Sequence, residues 1–279
     1  MLEQRARHLF KSNRFYANGR AVTGQEAVAV GVVMDLLPTD VVVRGAEGFI
    51  VDFIRGVSLA KLFPRLRAGC EDRGNGRPSH AEFETAIQAV MREKMKRGTV
   101  ALTFRNGGFT AEESWQEALQ IAGKRKLPMI FVCWNGSLAE ASRGKRESGR
   151  KGALWPEPAF GFPSIAVDGD DVVAVYRVAT EAIAHARRGN GPTLISCESW
   201  RENHSSAKEN GQRGPSPAMR RSNYGQSILN MENYLTGKGL FKLKYRREIV
   251  AAFGKEWDTV VAGFGNHQPA AVRRGLPLR

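Results

Sequence analysis

The sequence predicts an α/β fold with a largely parallel sheet and helices on both faces. Helical patterns alternate with short apolar runs, few polar residues interrupt those runs, and turn residues follow them. The helical patterns cover about 2–17, 25–37, 80–97, 111–125, 170–187, 229–237 and 244–263. The apolar runs lie near 40–43, 99–104, 128–133, 164–167 and 193–197. This alternation is typical of parallel strands, because a helix carries the chain back to the edge where each strand starts.

Composition agrees with a globular α/β protein. The chain has 279 residues, of which 42% are hydrophobic, enough for one large core. We expect one domain over 1–264 and a flexible basic tail over 265–279. Two stretches rich in Gly, Arg, Lys and Pro, 68–79 and 143–163, are predicted to be surface loops.

The sequence offers no signal for a membrane, a secretory route or a disulfide framework. No run approaches the roughly 20 apolar residues of a membrane span. The amino-terminal residues include the charged Glu3, Arg5 and Arg7 where a secretory signal peptide would have its apolar core, so we expect a cytoplasmic protein. The three cysteines, Cys70, Cys133 and Cys197, are too isolated to form a metal motif. We interpret Cys133 and Cys197 as strand core.

The most informative segment runs from 100 to 136 and presents an asparagine at the end of each of two strands. The apolar run 100–104 leads to Asn106, which is followed by two glycines that let a ligand approach the backbone closely. Thr110 and Glu113 form a capping box for the helix that follows. The next strand has no polar residue over 127–133, as expected of a central strand, and it leads to Asn135.

Each asparagine by itself is readily explained as a turn residue. Asn-Gly is a common loop dipeptide, and Asn tolerates left-handed backbone. Two asparagines at the carboxyl ends of neighbouring strands favour a different interpretation, because α/β folds bind their ligands at that edge.

The motifs RNGG at 105–108 and WNG at 134–136 resemble the alpha subunits of thiamine-dependent 2-oxo acid dehydrogenases. These are the first components of the pyruvate, branched-chain and acetoin dehydrogenase complexes. In that family a Gly-Asp-Gly turn and an Asn-Asn pair hold the magnesium ion that bridges the diphosphate of thiamine diphosphate. The resemblance implies metal ligation by Asn106 and Asn135. It also places Arg105, Gly107 and Gly108 in the cofactor turn.

Three further segments carry the resemblance over most of residues 1–264. The stretch 24–43, GQEAVAVGVVMDLLPTDVVV, matches the family's first helix and strand, and Arg44 matches an arginine that contacts the diphosphate. The stretch 165–206 ends in a His-Ser pair, which implies that His204 is a catalytic and phosphate-contacting residue. The stretch 227–264 is similar to the terminal helices.

Two departures from the family pattern concern the same site. Asn106 stands where the family has an acid, and an ungapped alignment instead puts the two metal positions at Gly107 and Gly136. Either way the carboxylate is missing, although Mg²⁺ prefers charged oxygen ligands. The loop at 68–79 also lacks a Gly-Gly-Ser-Met-His type segment of the cofactor pocket. Arg44 and Arg105 are candidates to contact the phosphates directly, and Arg105 either blocks the site or compensates for the metal.

The resemblance implies the alpha subunit of a pyruvate, branched-chain or acetoin dehydrogenase. Such an enzyme is an oxidoreductase that acts on aldehyde or oxo groups with a lipoyl disulfide as acceptor. The implied partners are a beta subunit, which supplies the glutamate that activates the thiazolium in a heterotetramer, and a lipoyl-bearing acyltransferase. An alternative is a catalytically inactive paralogue with a structural or regulatory role. A third interpretation is an unrelated basic interaction protein.

The formal net charge of +14 fits an acidic partner subunit. Nucleic acid is the other partner that such a charge suggests. The basic clusters at 143–151, 220–221 and 242–247 contain no helix-turn-helix, zinc or RNA-binding motif. The resemblance implies that the clusters at 143–151 and 208–221 border the active-site mouth, where the family binds its beta subunit and lipoyl domain, so we expect them to steer acidic partners.

Overall fold

The structure, a computed structural model, describes residues 1–10, 25–43, 48–71, 98–106, 113–134, 161–198 and 226–265. Its strands are β1 Val41–Val43, β2 Ala101–Asn106, β3 Met129–Trp134, β4 Ser164–Asp168 and β5 Thr193–Glu198. Its helices are α1 Leu2–Phe10, α2 Glu26–Val33, α3 Gly48–Ile54, α4 Leu59–Glu71, α5 Glu113–Lys124, α6 Val172–Arg187, α7 Gln226–Gly237 and α8 Leu243–Gly265.

Within these residues the strands form one sheet in the order β1-β2-β3-β5-β4, and every neighbouring pair is parallel. The predicted α/β class with a parallel sheet is therefore confirmed. The connection from β2 through α5 to β3 and the connection from β4 through α6 to β5 run in opposite directions along the sheet. Because such crossovers are right-handed, α5 and α6 cover opposite faces.

Alternating side chains of the strands build a core on each face. On one face, Leu102, Ile130 and Ile195 pack with residues of α2 and α6. On the other, Met129 and Phe131 pack with α5. Burial on both faces explains why β3, the third of the five strands, contains no polar residue over 129–133.

The helices on the two faces of the sheet pack in different ways. Gly31 of α2 lies so close to Val175 of α6 that a Cβ at residue 31 would be 2.7 Å from Val175 Cγ1. The absence of a side chain lets the two helices approach. On the opposite face Trp115 of α5 meets Phe131 edge to face, with ring centroids 5.4 Å apart.

A third core joins the chain's first helix to its last described one. Leu2 and Ala6 of α1, Leu62 of α4 and Trp257 of α8 are members of this core. Phe63 of α4 contacts α8 at two rings, with centroids 5.7 Å from Trp257 and 4.8 Å from Phe264. The terminal helix predicted from its pattern is thus anchored by residues more than 180 positions earlier in the sequence.

The predicted strands are confirmed, with ends that differ by at most two residues. Helices α3 and α4 were not predicted, and the loop expected at 68–79 is wrong at its start, because α4 continues to Glu71. Pro64 removes one backbone donor from α4 and weakens its pattern. Burial of Leu59, Leu62 and Leu66 stabilises the helix nevertheless. The predicted helix at 80–97, the loop at 143–160 and the tail beyond Gly265 lie outside the described residues.

Candidate functional site

The carboxyl edge of the sheet brings together the strand ends that lead to the predicted site. Asn106 at the end of β2 lies opposite Trp134 at the end of β3. Trp134 in turn lies opposite Cys197, one residue before β5 ends at Glu198. Val43, the last residue of β1, lies opposite Thr103, three residues before β2 ends. The chain therefore leaves β1, β2, β3 and β5 along one edge.

Of the predicted site residues, the structure describes the backbone of Arg105 and Asn106, the last two residues of β2. The prediction that Asn106 ends a strand beside the strand leading to Asn135 is confirmed. The other predicted residues lie outside the described ones: Arg44, Gly107, Gly108, Asn135 and His204. Arg44 follows Val43 directly, Asn135 follows Trp134 directly, and His204 comes six positions after Glu198. Their roles stay predictions.

The sheet beneath this edge is apolar. Phe104 and Cys133 are 5% and 3% exposed, and the buried polar residues nearby are the uncharged Thr103 and Ser196. The chemistry of the site therefore has to come from the segments beyond the strand ends. A floor of this kind excludes water and strengthens electrostatic contacts made above it.

The two cysteines under the edge are core residues, as predicted. Cys133 lies with Phe131 on the α5 face, whereas Cys197 lies with Ile195 on the α6 face. Burial, with a smaller effect of Cys133, raises the pKa of the Cys197 thiol far above its ordinary value. Cys197 therefore stays a protonated thiol and is not a nucleophile.

The beginning of α2 is linked to the carboxyl edge of the sheet through α7. Ser227 Oγ of α7 donates a hydrogen bond to Glu26 Oε2 at 3.1 Å. One turn further along α7, Asn230 Nδ2 donates to the carbonyl of Asp170, which follows β4, at 3.4 Å. Helix α7 thus joins the first turn of α2 to the carboxyl end of β4.

Gln25, immediately before α2, is a feature that the sequence analysis treated only as part of the family match. It is fully buried, and neither of its side-chain amide atoms has a hydrogen-bond partner among the described residues. A single Gln before a helix gives no sequence signal of such burial. The burial of Gln25 results from the packing of α2 against α6 and α7, which the local sequence does not show.

The beginning of α6, by contrast, is satisfied by its own side chains. Asp171 Oδ1 accepts hydrogen bonds from the backbone N–H groups of Val173 and Ala174, at 2.9 and 3.1 Å. Asp168 Oδ1 accepts one from the Asp170 N–H at 2.9 Å. This helix terminus is therefore capped by a side chain of its own N-cap residue.

The described ranges contain neither a cluster of metal-ligating side chains nor a membrane-spanning helix. No three His, Cys, Asp or Glu side chains in that part of the chain converge as a metal site. None of the described helices is long and apolar enough to cross a membrane. The expected cytoplasmic location stays a prediction.

Comparison with known proteins assigns the chain to a family. Residues 1–258 match the protein family described as Dehydrogenase E1 component. This chain belongs to that family. Its membership confirms the resemblance that the motifs at 105–108, 134–136 and 165–206 indicated.

Three curated relatives of this chain are named as alpha subunits. It is 31% identical over 204 residues to the chloroplastic pyruvate dehydrogenase E1 component subunit alpha-3 of Arabidopsis thaliana, covering 64% of this chain and 47% of the relative. It is 30% identical over 199 residues to the alpha subunit of acetoin:2,6-dichlorophenolindophenol oxidoreductase of Bacillus subtilis (strain 168), covering 64% and 59%. Against the alpha subunit of the pyruvate dehydrogenase E1 component of Mycoplasma pneumoniae it is 27% identical over 248 residues, covering 84% and 68%. The matches to the first two relatives thus span about half of each relative's length.

Proposed function

We propose that this chain is the alpha subunit of a thiamine diphosphate-dependent 2-oxo acid or acetoin dehydrogenase. It would contribute to oxidative decarboxylation of a pyruvate or branched-chain type substrate, or to cleavage of acetoin, with acyl transfer to a lipoyl group. The observation that carries the proposal is the shared edge at which β1, β2, β3 and β5 end. Each of those strands leads into a residue that the family resemblance singles out.

The side chains predicted at this site are better suited to bind a diphosphate than to bind Mg²⁺. Arg44 and Arg105 would bind the phosphates through charge-assisted hydrogen bonds. The side-chain oxygens of Asn106 and Asn135 are neutral, so a magnesium ion held by them lacks the carboxylate it prefers. Thiamine diphosphate, when bound, supplies the nucleophilic carbon for attack on the substrate's oxo group. His204 would contact a phosphate and hold a proton close to the reacting groups.

The proposal includes two partners. The relatives are named as alpha subunits, which supports a separate beta subunit in a hetero-oligomer, with a heterotetramer as the expected assembly. A lipoyl-bearing acyltransferase would accept the acyl group. The basic clusters at 143–151 and 208–221 lie outside the described residues, and their steering of acidic partners stays part of the proposal.

A catalytically inactive paralogue is the second candidate. The specific observation in its favour is Asn106, because both alignments of the motif lack the metal-binding carboxylate. In that case the chain would keep the fold and the beta-subunit partner while losing turnover.

The decisive experiment is to purify the tagged chain from its native cells together with its partners. Three quantities are measured: the copurifying subunits, bound thiamine diphosphate, and dye reduction with pyruvate, branched-chain 2-oxo acids or acetoin. A beta subunit, near-stoichiometric cofactor and turnover are expected. A beta subunit without cofactor or turnover would favour the inactive paralogue, whereas absence of a beta subunit would contradict both.

The role of His204 is tested in the same complex. We expect His204→Asn to lower turnover about 100-fold with assembly unchanged, because a positioned acid or base contributes at least that factor. His8→Asn is the matched control, since His8 is exposed on α1. Equal activity of the two variants would remove His204 from the mechanism.

A further inference from the structure

Helix α8 is covered along only half of its length. Its carboxyl half packs into the third core, where Trp257 is 5% exposed and Phe253 lies edge to face with Phe53 at 6.3 Å. Every residue from 242 to 252, by contrast, is exposed. The exposed residues include large apolar side chains, with Leu243 66% and Ile249 60% exposed.

Two of the exposed apolar side chains continue the face that is buried further along the helix. Leu243, Val250, Trp257 and Phe264 are spaced seven residues apart, so they lie on one side of α8. That side contacts Phe63 at Trp257 and Phe264 but is uncovered at Val250 and Leu243. A helix normally keeps such a stripe for a packing partner. Ile249 lies at the margin of this side, one turn before Phe253, and Tyr245 flanks Ile249. We call these four exposed side chains of the helix, together with Leu240 just before it, the α8 patch: Leu240, Leu243, Tyr245, Ile249 and Val250.

The patch is held in place by its neighbours. Arg246 Nε lies 3.3 Å from Glu232 Oε1 and so ties the first turn of α8 to α7. Helix α7 is itself fixed to α2 through Ser227 and Glu26. Gly239, with a φ of 70°, lies two residues after the end of α7 and sets the turn between the two helices. A partner would therefore meet a preformed surface.

The charges around the patch have one dominant sign. Residues 238–250 include five basic side chains, at 238, 242, 244, 246 and 247, against the single acid Glu248. Arg246 pairs with Glu232, and Lys244 lies 3.7 Å from Glu248. Lys242 and Arg247 have no ion-pair partner among the described residues. An incoming surface would meet unneutralised positive charge beside exposed apolar groups.

These observations discriminate between possible occupants. Two copies of the patch would bring their basic rims together, which like-charge repulsion disfavours. Nucleic acid would use the cations but leave the large apolar side chains in water. The heptad spacing instead fits the apolar positions of another helix. We propose that the α8 patch docks an amphipathic helix of a partner protein, one whose apolar stripe is flanked by Asp and Glu.

The test uses the full chain in its native cells. Tyr245 is replaced by the photoreactive residue benzoylphenylalanine, and Tyr176, another exposed tyrosine on α6, is replaced in a matched control. After irradiation, mass spectrometry identifies the cross-linked peptide. The expected result at 245 is a segment of a different protein with helical apolar spacing and net negative charge, absent from the cross-links at 176.

Charge reversal separates docking from chance proximity. We expect Lys242→Glu with Arg247→Glu to lower the cross-link yield at 245 by about 10-fold or more, because rim charges guide association. Lys255→Glu, exposed on the covered half of α8, should leave the yield unchanged. All three side chains are exposed, so thermal unfolding should be unaffected.

Any of the following results would overturn the proposal: cross-links to a second copy of the chain, to lipid or to nucleic acid; no yield above that at 176; or no loss of yield after charge reversal. The outcome is independent of the proposed enzymatic function, because the readout is the identity of the docked segment and not turnover.

Discussion

Arg187 and Asp40 form a two-pronged ion pair at the amino edge of the sheet, with Nη1 3.1 Å from Oδ1 and Nη2 2.8 Å from Oδ2. The Asp40 side chain is fully buried and also accepts the backbone N–H groups of Leu37 and Val100. Arg187 Nη1 donates as well to the Gly98 carbonyl at 2.6 Å. One ion pair therefore joins the end of α6 to the starts of β1 and β2, at the edge opposite the candidate site.

We expect Arg187→Ala to lower the free energy of unfolding by about 3 kcal/mol, because it leaves a buried carboxylate without its counter-ion. Urea denaturation followed by circular dichroism measures the change. Arg188→Ala is the matched control: Arg188 is the next residue along the chain and is exposed, so its loss should change stability by less than about 0.5 kcal/mol. Equal effects of the two substitutions would show that the ion pair does not stabilise the fold.

Gly31→Ala should destabilise the α2–α6 contact. In an open helix position this change would stabilise by up to about 1 kcal/mol. Here the new Cβ would lie 2.9 Å from Val175 Cβ and 3.1 Å from the Tyr176 backbone N, so the helices must separate. We expect a net loss of about 2 kcal/mol in thermal or urea unfolding. Gly237→Ala, where nothing lies within 4 Å of the new Cβ, is the control and should not destabilise.

The core cysteines should resist alkylation in the folded protein. Both Cys133 and Cys197 are buried, and burial raises the pKa of Cys197, so its reactive thiolate is suppressed. Iodoacetamide labelling at pH 8 with peptide mass spectrometry should modify them only when urea unfolds the chain. Rapid labelling of Cys197 without urea would contradict the buried assignment.

The raised pKa of Cys197 also sets the sign of a pH effect. The unfolded thiol ionises near its ordinary pKa, whereas the folded thiol does not. Its contribution to stability is therefore complete below that ordinary value and is lost as the pH rises above it. Denaturation midpoints of the wild type and of Cys197→Ala measured between pH 7 and pH 10 should converge as the pH rises.

Restoring an acid with Asn106→Asp should strengthen magnesium-dependent binding of thiamine diphosphate by about 10-fold or more, since a carboxylate is a better Mg²⁺ ligand than an amide. Calorimetry on the purified complex, with and without Mg²⁺, measures the gain. Asn190→Asp, in the exposed turn after α6, is a control for added negative charge. No gain over that control would favour steric closure by Arg105.

Much of the fold could be predicted because its signals are local. Five short apolar runs and their flanking turns located the strands, and the uninterrupted apolar character of β3 indicated a central position. The motifs around Asn106 and Asn135 predicted a ligand-binding edge for the same reason: strand and turn residues adjoin in sequence. Helices α3 and α4 were missed, because α3 is only seven residues long, Pro64 weakens the pattern of α4, and both gain stability from packing against α1 and α8.

The sequence by itself determined the family, the parallel α/β class and the residues to test at the carboxyl edge. The tertiary structure alone decided the strand order β1-β2-β3-β5-β4, the Asp40–Arg187 ion pair and the uncovered half of α8. The physical reason is distance along the chain. Local patterns report backbone preference and burial, whereas pairing between residues 147 positions apart and the covering of one helix by another depend on how the elements pack.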